Sequence, residues 1–404
     1  MHADREERLT RRAMLQASIG LAALAPGAFA APPEQNHTEQ KSVEAIKDKL
    51  PRTAKVIEEA AAKGNAGQLY LSLNGKPVAD IAWGKLPDGT AYTPATLVGW
   101  ASAVKPTTCA CLLKLWDQGK LDLDDKVTKF IPEFGVNGKE NVRIRHLLTH
   151  TAHLGGYAGP TNLPPTFAEL VNKIIQAPRE PYRALGANAK LPPLGLGPGY
   201  NPAGIIVIAE ICRRLYGRDF KEVIRKEVYE PCGMNDSWCG MPLERYRAYK
   251  KEGRFASGYL ATETEVVKCQ PAGGGIGPTR ELARFYEMLI GRGAINGKRI
   301  LSPQAVEAMT TPKTGLGYMG IWGLGLNLAL PEGVMMPRSE NPRRTAEQLQ
   351  ERYGPHASTR SFGHAGASGM QAFADPEHSL ATAFIGRVPI SGTIYEDLGL
   401  VKAA

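Results

Sequence analysis

The sequence predicts an α+β fold in which one antiparallel sheet is built from the N- and C-terminal parts of the chain, is flanked by helices, and carries a mostly helical inserted subdomain. Strand patterns occur between residues 67 and 83 and return only after residue 320, while the long middle part alternates helical and loop patterns. A sheet shared by both ends of the chain meets the helical insertion along a cleft. Such a cleft is a usual place for a small-molecule site.

Length and composition exclude several classes of protein. The 404 residues are 43% hydrophobic and 22% charged, so neither intrinsic disorder nor a small disulfide-stapled scaffold fits. The 44 Gly and 30 Pro follow no three-residue period, which excludes a collagen-like fibre. The net charge of +9 comes from basic pairs separated by acidic residues, without the basic stripe of a nucleic-acid groove. We expect a small-molecule substrate and no nucleic-acid partner; the oligomeric state stays open.

Residues 1–30 are typical of a twin-arginine signal peptide. Arg11-Arg12 precede an apolar run over residues 13–30, which polar residues and a proline interrupt, so it is too weak to span a bilayer. The run ends in Ala28-Phe29-Ala30, a small-residue pattern that suits cleavage before Ala31. We therefore predict export, to the periplasm or beyond, without a stable membrane span. The alternative is an N-terminal extension that stays in the cytoplasm.

The remainder is predicted to be a polar linker over residues 31–40 and one catalytic domain over residues 41–404, with its helical subdomain at about 141–290. Residues 42–64 have helical periodicity interrupted at Pro51. Strands are predicted at residues 67–73 and 77–83, joined by Asn74-Gly75, a strong hairpin signal.

Further along, apolar periodicity predicts three long helices and a C-terminal group of strands. The helices are at residues 106–119, 203–215 and 281–290, the strands at 320–328, 371–374 and 380–387, and a short helix follows at 393–402. Residues 177–204 and 335–360 are predicted to be long loops, of a kind that is often functional.

Six cysteines, at positions 109, 111, 212, 232, 239 and 269, allow up to three disulfides with 15 connectivities in an oxidising compartment. The sequence does not choose among them. Cys109 and Cys111 lie two apart on a predicted helix and point to different faces, which disfavours a bridge between them. The spacings contain no paired CxxC units, so no structural zinc site is expected.

Ser102 and Lys105, at the start of a predicted helix, form the first candidate catalytic pair. An i, i+3 spacing places both side chains on one helix face. A serine hydroxyl needs a base to become a nucleophile, and a lysine can be that base when burial lowers its pKa. Taken alone, the Ser-x-x-Lys pattern is also compatible with a capping serine and a solvated lysine.

The surroundings of this pair resemble the penicillin-recognising serine hydrolases: class C β-lactamases, D-alanyl-D-alanine peptidases and related esterases. The resemblance begins with ASAVKPTTCACLLKLWDQGKL and VRIRHLLTHTAHL, within residues 98–154. It continues, in family order, through PGYNPAGIIVIAEICRRLYG (198–217), YEPCGMNDS (229–237), AGGGIGPTRELARFYEMLIGRG (272–293) and FGHAGASGMQAFADPEHSLATAFIGR (362–387). It covers most of residues 95–390, which is more specific than any one motif.

This resemblance implies a β-lactamase/transpeptidase-like fold and a set of roles. Ser102 would be the acylated nucleophile and Lys105 its base, while Tyr200, in the family's Tyr-x-Asn element, would pass a proton to the leaving group and activate water. The Lys-Thr-Gly element falls on His364-Ala365-Gly366. The oxyanion hole would be the backbone N–H groups of Ser102 and Ala367, and the resemblance makes His364, Gly366 and Asn201 the substrate-binding residues.

Two departures from the family pattern bear on the substrate. Pro202 stands where the lactamases have the asparagine that contacts the acyl amide, and proline has no side-chain donor or acceptor. His364 replaces the lysine that helps hold a substrate carboxylate, and imidazole is mostly neutral at pH 7. Both changes favour neutral esters or amides over β-lactams and D-alanyl peptides.

Two other motifs carry competing interpretations. His146, His150 and His153 have a spacing that could present two imidazoles to a metal, but the stretch matches the family's HLLTH segment and contains no HExxH glutamate. The glycines at 273–277 lack the GKS or GKT of a phosphate loop, and we expect a tight turn there, with Thr279 capping the next helix. We therefore expect neither a metal nor an organic cofactor.

These observations predict an exported serine hydrolase, of carboxylesterase or amidase type, that works through an acyl-enzyme on Ser102. A β-lactamase, a D-alanyl-D-alanine carboxypeptidase or an acyltransferase would use the same nucleophile. A non-catalytic penicillin-binding or sensor module is the alternative from a different class.

Overall fold

The computed structural model describes residues 42–86, 88–157, 159, 164, 166–181, 189–197, 199–256, 258–317, 320–331 and 352–402. The predicted signal peptide and linker, and residues 335–351 of the predicted polar loop, lie outside this part of the chain. The remaining loop residues, 352–360, contain turns that precede a strand.

Eleven α-helices occur in the described residues: α1 (Pro51–Ala62), α2 (Lys105–Asp117), α3 (Ile144–Leu148), α4 (Phe167–Gln176), α5 (Pro202–Tyr216), α6 (Phe220–Ile224), α7 (Leu243–Lys251), α8 (Glu263–Val266), α9 (Thr279–Ile290), α10 (Pro303–Thr310) and α11 (Ser391–Asp397). Short 3₁₀ helices are found at Val43–Ile46, Ser102–Val104, Val127–Lys129 and Pro132–Phe134, and a π-helical turn at Arg225–Tyr229.

The strands in the same residues are β1 (Gly67–Leu73), β2 (Lys76–Trp83), β3 (Val98–Ala101), β4 (Trp238–Cys239), β5 (Gly275–Gly277), β6 (Ala294–Ile295), β7 (Lys298–Arg299), β8 (Ile321–Trp322), β9 (Asn327–Leu328), β10 (Phe362–Ala365), β11 (Gln371–Asp375) and β12 (Leu380–Ile385). The predicted strand at 320–328 is in fact the short hairpin β8–β9, and the last helix begins two residues earlier than predicted and ends at Asp397.

The main sheet confirms the predicted fold class. Its strand order is β2-β1-β12-β11-β10-β9-β8 and its pairs are antiparallel, with Leu69 opposite Phe384 where the two ends of the chain meet. Asn74 and Gly75 both have positive φ, as the tight turn between β1 and β2 requires.

Alternation along the strands divides the core into two layers. Leu69, Leu71 and Phe384 pack on one face of the sheet with residues of α1 and α11, while Tyr70 and Ala383 belong to the core on the other face, which includes α9. Successive strand residues point to opposite faces of a sheet, so strands with one solvent-exposed face alternate apolar and polar residues. Here both faces are covered by helices, and the strands are apolar on both sides.

The middle of the chain is helical as predicted, but it also contains a small sheet that the sequence analysis missed. Its order is β3-β5-β4. β5 occupies Gly275–Gly277, so the tight turn that we predicted over residues 273–277 is confined to the part before the strand, where the Gly273 and Gly274 N–H groups both donate to the Gln270 carbonyl. A Cβ on Gly275 or Gly277 would lie 2.7 Å from the ring of Trp100, so these glycines allow the indole to pack against the strand. Thr279 is the first residue of α9 rather than its cap, which is Pro278.

All six cysteines are free thiols in this structure. In the described part of the chain no helix combines the length and apolarity that a bilayer crossing requires.

Candidate active site

Ser102 lies at a strained turn between a strand and a helix. β3 ends at Ala101, whose backbone has φ 49° and ψ −132°, and Ser102 then opens the 3₁₀ turn that leads into α2. Positive φ is costly for alanine, and such strain persists only where the surroundings fix it. Here the buried Trp100 anchors the strand through a 2.9 Å hydrogen bond from its Nε1 to the Gly277 carbonyl. The turn therefore holds the Ser102 hydroxyl in a defined position.

Lys105 lies one turn along and is almost completely buried, at 1% exposure. Its Nζ is 2.8 Å from Ser102 Oγ and 2.5 Å from the carbonyl oxygen of Ala272. Burial lowers the pKa of this lysine to about 7. A large fraction of Lys105 is thus neutral near pH 7, within reach of the serine proton. The alternative of a solvated lysine is wrong.

Tyr200 approaches the same ammonium from the other side. The centre of its ring lies 4.8 Å from Lys105 Nζ, and the side chain is half-buried. The residue directly precedes the cap of α5, so its position is fixed by the start of that helix. The structure therefore brings together Ser102, Lys105 and Tyr200, which are up to 98 positions apart in the sequence.

Asn201 has a structural role that the sequence analysis did not assign. Its Oδ1 accepts the Gly204 N–H at 3.0 Å, which caps α5, and its Nδ2 donates to the Leu154 carbonyl at 2.7 Å. Both polar atoms of the side chain are thus engaged with backbone groups. The geometry gives Asn201 a capping role, and its expected substrate contact stays a prediction. Pro202, at the first helical position, suits the start of the helix.

His364, on β10, is an uncharged side chain facing the same region. Burial and the nearby Lys105 hold its pKa well below the usual value near 6.5. Nδ1 lies 2.7 Å from the Ala365 carbonyl oxygen, so Nδ1 carries the proton and Nε2 keeps its lone pair. Among the described residues no group bonds to Nε2.

Gly366 allows the turn after β10 to lie directly against the strand before Ser102. A Cβ on Gly366 would be 2.1 Å from the Trp100 carbonyl oxygen and 3.3 Å from the Ala101 Cβ. A side chain there would force the two segments apart. Outside the helices and strands of the described residues, no backbone carbonyl accepts a hydrogen bond from the N–H of Ser102 or Ala367, which is compatible with the expected oxyanion hole.

Two further aromatic side chains, His150 and Trp322, pack beside Tyr200. The rings of His150 and Trp322 are 4.4 Å apart, and their centres lie 5.1 and 6.0 Å from that of Tyr200. Burial lowers the pKa of His150 to about 3, so it too is neutral. In the sequence, the HLLTH segment pointed to His150 as a residue near the site, whereas no motif pointed to Trp322.

The three histidines whose spacing could suit a metal each contact a different backbone group. His146 Nδ1 accepts the Arg143 N–H, and His153 Nε2 is 3.0 Å from the Leu196 carbonyl oxygen. His150 Nδ1 accepts the Asn201 N–H at 3.1 Å. Within the described ranges no group of three or more His, Cys, Asp or Glu residues is arranged to hold a metal ion.

The fold and this site define a serine hydrolase with a Ser-x-x-Lys nucleophile. The family model described as Beta-lactamase matches residues 53–387, so the chain belongs to the β-lactamase family. It is a β-lactamase-fold serine hydrolase, of esterase-like or carboxypeptidase-like kind.

Three similar proteins illustrate that range. The chain is 25% identical over 400 residues to "Esterase/beta-lactamase LipL" of Mycobacterium tuberculosis, covering 86% of this chain and 84% of the relative. A penicillin-binding protein homologue from Caulobacter crescentus has a similar structure, with a TM-score of 0.68, 23% identity, and coverage of 87% of this chain and 98% of that one. A family VIII carboxylesterase matches with a TM-score of 0.66 and 20% identity, over 90% of this chain and 98% of that one. The two structural matches show the shared fold.

Proposed function

We propose that this protein is an exported carboxylesterase or amidase that acts on neutral acyl substrates through an acyl-enzyme on Ser102. The observation that carries the proposal is the buried Lys105 amine, 2.8 Å from the serine hydroxyl and with a pKa lowered to about 7. An amine that is partly neutral at pH 7 can accept the serine proton as the bond to the acyl carbon forms.

Each step uses a group already in place. Ser102 Oγ attacks the carbonyl and passes its proton to Lys105, while the N–H groups of Ser102 and Ala367 stabilise the oxyanion. Tyr200 then delivers a proton to the departing alkoxide or amine, and the acyl-enzyme remains. Water then attacks this ester and gives its proton to Tyr200, and Lys105 returns the proton it took earlier to Ser102 Oγ as the acid leaves.

Charge at the site favours neutral substrates. His364 and His150 are both uncharged at pH 7, so neither supplies the fixed cation that attracts a substrate carboxylate. The half-buried Tyr200 ring, stacked on the buried Trp322, offers an apolar surface to an acyl or alkyl group. The relative named as an esterase and β-lactamase is compatible with ester hydrolysis as well as lactam hydrolysis.

Active-site labelling tests the nucleophile. A fluorophosphonate probe should modify the mature protein on Ser102, as located by peptide mass spectrometry, and Ser102→Ala should lose the label. A Ser302→Ala variant serves as the control, because Ser302 caps α10 and is bonded to Asp117. Labelling on a different residue would overturn the proposed mechanism.

Comparison of substrates tests the reaction type. We expect kcat/KM for a short-chain p-nitrophenyl ester to exceed that for nitrocefin and for a D-alanyl-D-alanine peptide. The reverse order would make the protein a β-lactamase or carboxypeptidase. Transfer of the acyl group to an added alcohol or amine, at the expense of the free acid, would make it an acyltransferase. A burst of acylation without turnover would indicate a sensor module.

Export is tested separately from catalysis. Residues 1–40 fused to a folded reporter should carry it across the inner membrane of a bacterium with a twin-arginine pathway. Replacing both Arg11 and Arg12 with lysine should leave the reporter in the cytoplasm. Unchanged export of this double variant would contradict the twin-arginine assignment.

The polar loop at 335–360 is proposed to influence acyl-chain choice. Its described end is attached beside the site, because the Tyr353 hydroxyl donates to the carbonyl of Asn327 on β9 at 2.8 Å. Deletion of residues 335–350 should change the ratio of activities on short and long acyl esters. An unchanged ratio would refute this role.

A further inference from the structure

Cys239 and Cys269 form a close pair of thiols at some distance along the chain from the catalytic groups. Their Sγ atoms are 3.8 Å apart, and in the described residues no other two cysteine sulfurs are in hydrogen-bond contact. Cys239 ends β4, and a Cβ on the following Gly240 would lie 3.3 Å from both Cα and Cβ of Cys269. The two backbones therefore run side by side.

The two sulfur atoms are in contact but are not bonded. A disulfide has its sulfur atoms about 2 Å apart, so closure requires a shift of about 2 Å, which side-chain rotation can supply between backbones this near. Cys239 is buried, whereas Cys269 is partly exposed and lines a surface cavity with Phe167, Lys268 and Gln270. Cys269 is therefore the residue of the pair that lies nearer to solvent.

The segment after Cys269 holds the catalytic lysine. The carbonyl of Pro271 accepts a 2.8 Å hydrogen bond from Thr108 Oγ1 on α2, and the carbonyl of Ala272 is 2.5 Å from Lys105 Nζ. Thus only two residues separate Cys269 from Ala272, whose carbonyl orients the general base. Fixing Cys269 to β4 would restrict this segment.

We propose that Cys239 and Cys269 are a disulfide-forming site, and that the bond fastens residues 269–272 to β4 and stabilises the carbonyl contact of Lys105. Oxidised glutathione is a suitable oxidant. The thiolate of Cys269 attacks the glutathione disulfide and releases one glutathione, and the Cys239 thiolate then displaces the second. Two protons and two electrons leave the protein thiols, and two glutathione thiols form.

The environment also sets the speed of this reaction. The Cys239 contact and burial raise the pKa of Cys269 well above the usual value for a thiol, so little thiolate is present at pH 7. Oxidation is accordingly expected to accelerate as the pH rises from 7 to 9.

Mass spectrometry tests the site without reference to catalysis. After equilibration with oxidised glutathione and alkylation in denaturant, the protein should carry four alkylated cysteines, against six after reduction. Trypsin should then release a cross-linked pair consisting of residues 227–245 and 269–280. Six alkylated cysteines in the oxidised sample, or a bridge between other cysteines, would overturn the proposal.

Variants resolve an ambiguity in that cross-link. The peptide 227–245 contains both Cys232 and Cys239. Cys239→Ser should abolish the cross-link, and Cys232→Ala, a matched control at a fully buried thiol, should retain it. Loss of the cross-link in Cys232→Ala but not in Cys239→Ser would show that Cys269 bonds to Cys232, and this would refute the proposed pair.

Thermal unfolding tests the consequence for the fold. Because the bond closes a loop between positions 30 apart, the oxidised protein should unfold roughly 5 °C above the reduced one. Cys239→Ser should show no difference between the two conditions. An oxidised wild type that unfolds at or below the temperature of the reduced form would contradict the stabilising role. These melting temperatures are measured without a substrate, so their outcome does not depend on the proposed esterase activity.

Discussion

The two sides of the site are built in different ways. On the Ser102 side the reactive groups come from one helical turn, and the Lys105 amine is bonded both to the serine and to the Ala272 carbonyl. On the His364 side, rings from distant parts of the chain pack together, and Nε2 of both His150 and His364 has no bonding partner among the described residues. Buried polar atoms without partners are costly. The first side is thus preorganised for proton transfer, and the second contains buried polar atoms whose hydrogen-bonding capacity is not used by the described residues.

This contrast predicts that changes on the Ser102 side reduce kcat most strongly. Lys105→Met should lower kcat/KM by about 10³-fold, because the serine loses its base. Lys105→Arg should be as inactive, since a guanidinium keeps its proton. Wild-type activity should rise with pH through about 7, as the amine loses its proton. Steady-state kinetics across pH 5 to 9 measure both effects. Lys114→Met, on the same helix, should remain within about twofold of wild type and is the control.

Lys105→Met should also be more stable than wild type near neutral pH. Between pH 7 and 10.5 the unfolded chain binds a proton at Lys105 that the folded protein largely lacks, so stability rises with pH across this window. Methionine removes that cost, and its melting temperature should be higher at pH 7 and less dependent on pH. A lower melting temperature for Lys105→Met would indicate that the lysine stabilises the fold.

Tyr200→Phe should lower kcat by about 10²-fold while it preserves the ring packing. The hydroxyl is needed to protonate the leaving group and to activate water, whereas the contacts with Trp322 involve the ring. Burst kinetics with a p-nitrophenyl ester should separate slow acylation from slow deacylation. Tyr246→Phe, which removes a phenol bonded to the Ala261 carbonyl far from the site, is the control. Equal effects of the two variants would remove Tyr200 from the mechanism.

Gly366→Ala tests the contact between the two sides. The added methyl would lie 2.1 Å from the Trp100 carbonyl oxygen, so β10 must shift away from the nucleophile turn. We expect kcat/KM to fall about 30-fold and the free energy of unfolding to fall by about 2 kcal/mol. Urea denaturation and kinetics measure the two effects. Gly315→Ala is the matched control, because nothing lies within 4 Å of its added Cβ.

His364→Lys should have the smallest effect and should act on selectivity. A cation at this position should raise the preference for carboxylate-bearing over neutral esters by about 10-fold, as judged by the ratio of kcat/KM values. It should also move the rise in activity to lower pH, because a second positive charge disfavours protonation of Lys105. His364→Gln, which adds no charge, should leave both properties near wild type. A changed preference in the Gln variant would show that shape, rather than charge, sets selectivity.

The sequence predicted the parts of the site that depend on short spacings. Ser102 and Lys105 lie one helical turn apart, so their proximity follows from local geometry. The pairing of the N- and C-terminal strands followed from where the strand patterns occur. Trp322 and the small β3-β5-β4 sheet were missed, because strands of two to four residues carry too little periodicity to be recognised. The resemblance implied a substrate-binding role for Asn201, but it did not reveal that the side chain also caps α5.

The pairing of β1 with β12 bears on how the protein is made. In the first hairpin β1 pairs with β2 along one edge only, and its other edge stays unpaired until residues 380–385 of the 404 have been synthesised. The sheet therefore closes after translation has nearly ended, and an unpaired strand edge is open to aggregation until then. A chain released early, before Leu380, should accumulate in inclusion bodies. A transport route that accepts only finished, folded cargo would suit a protein assembled in this order.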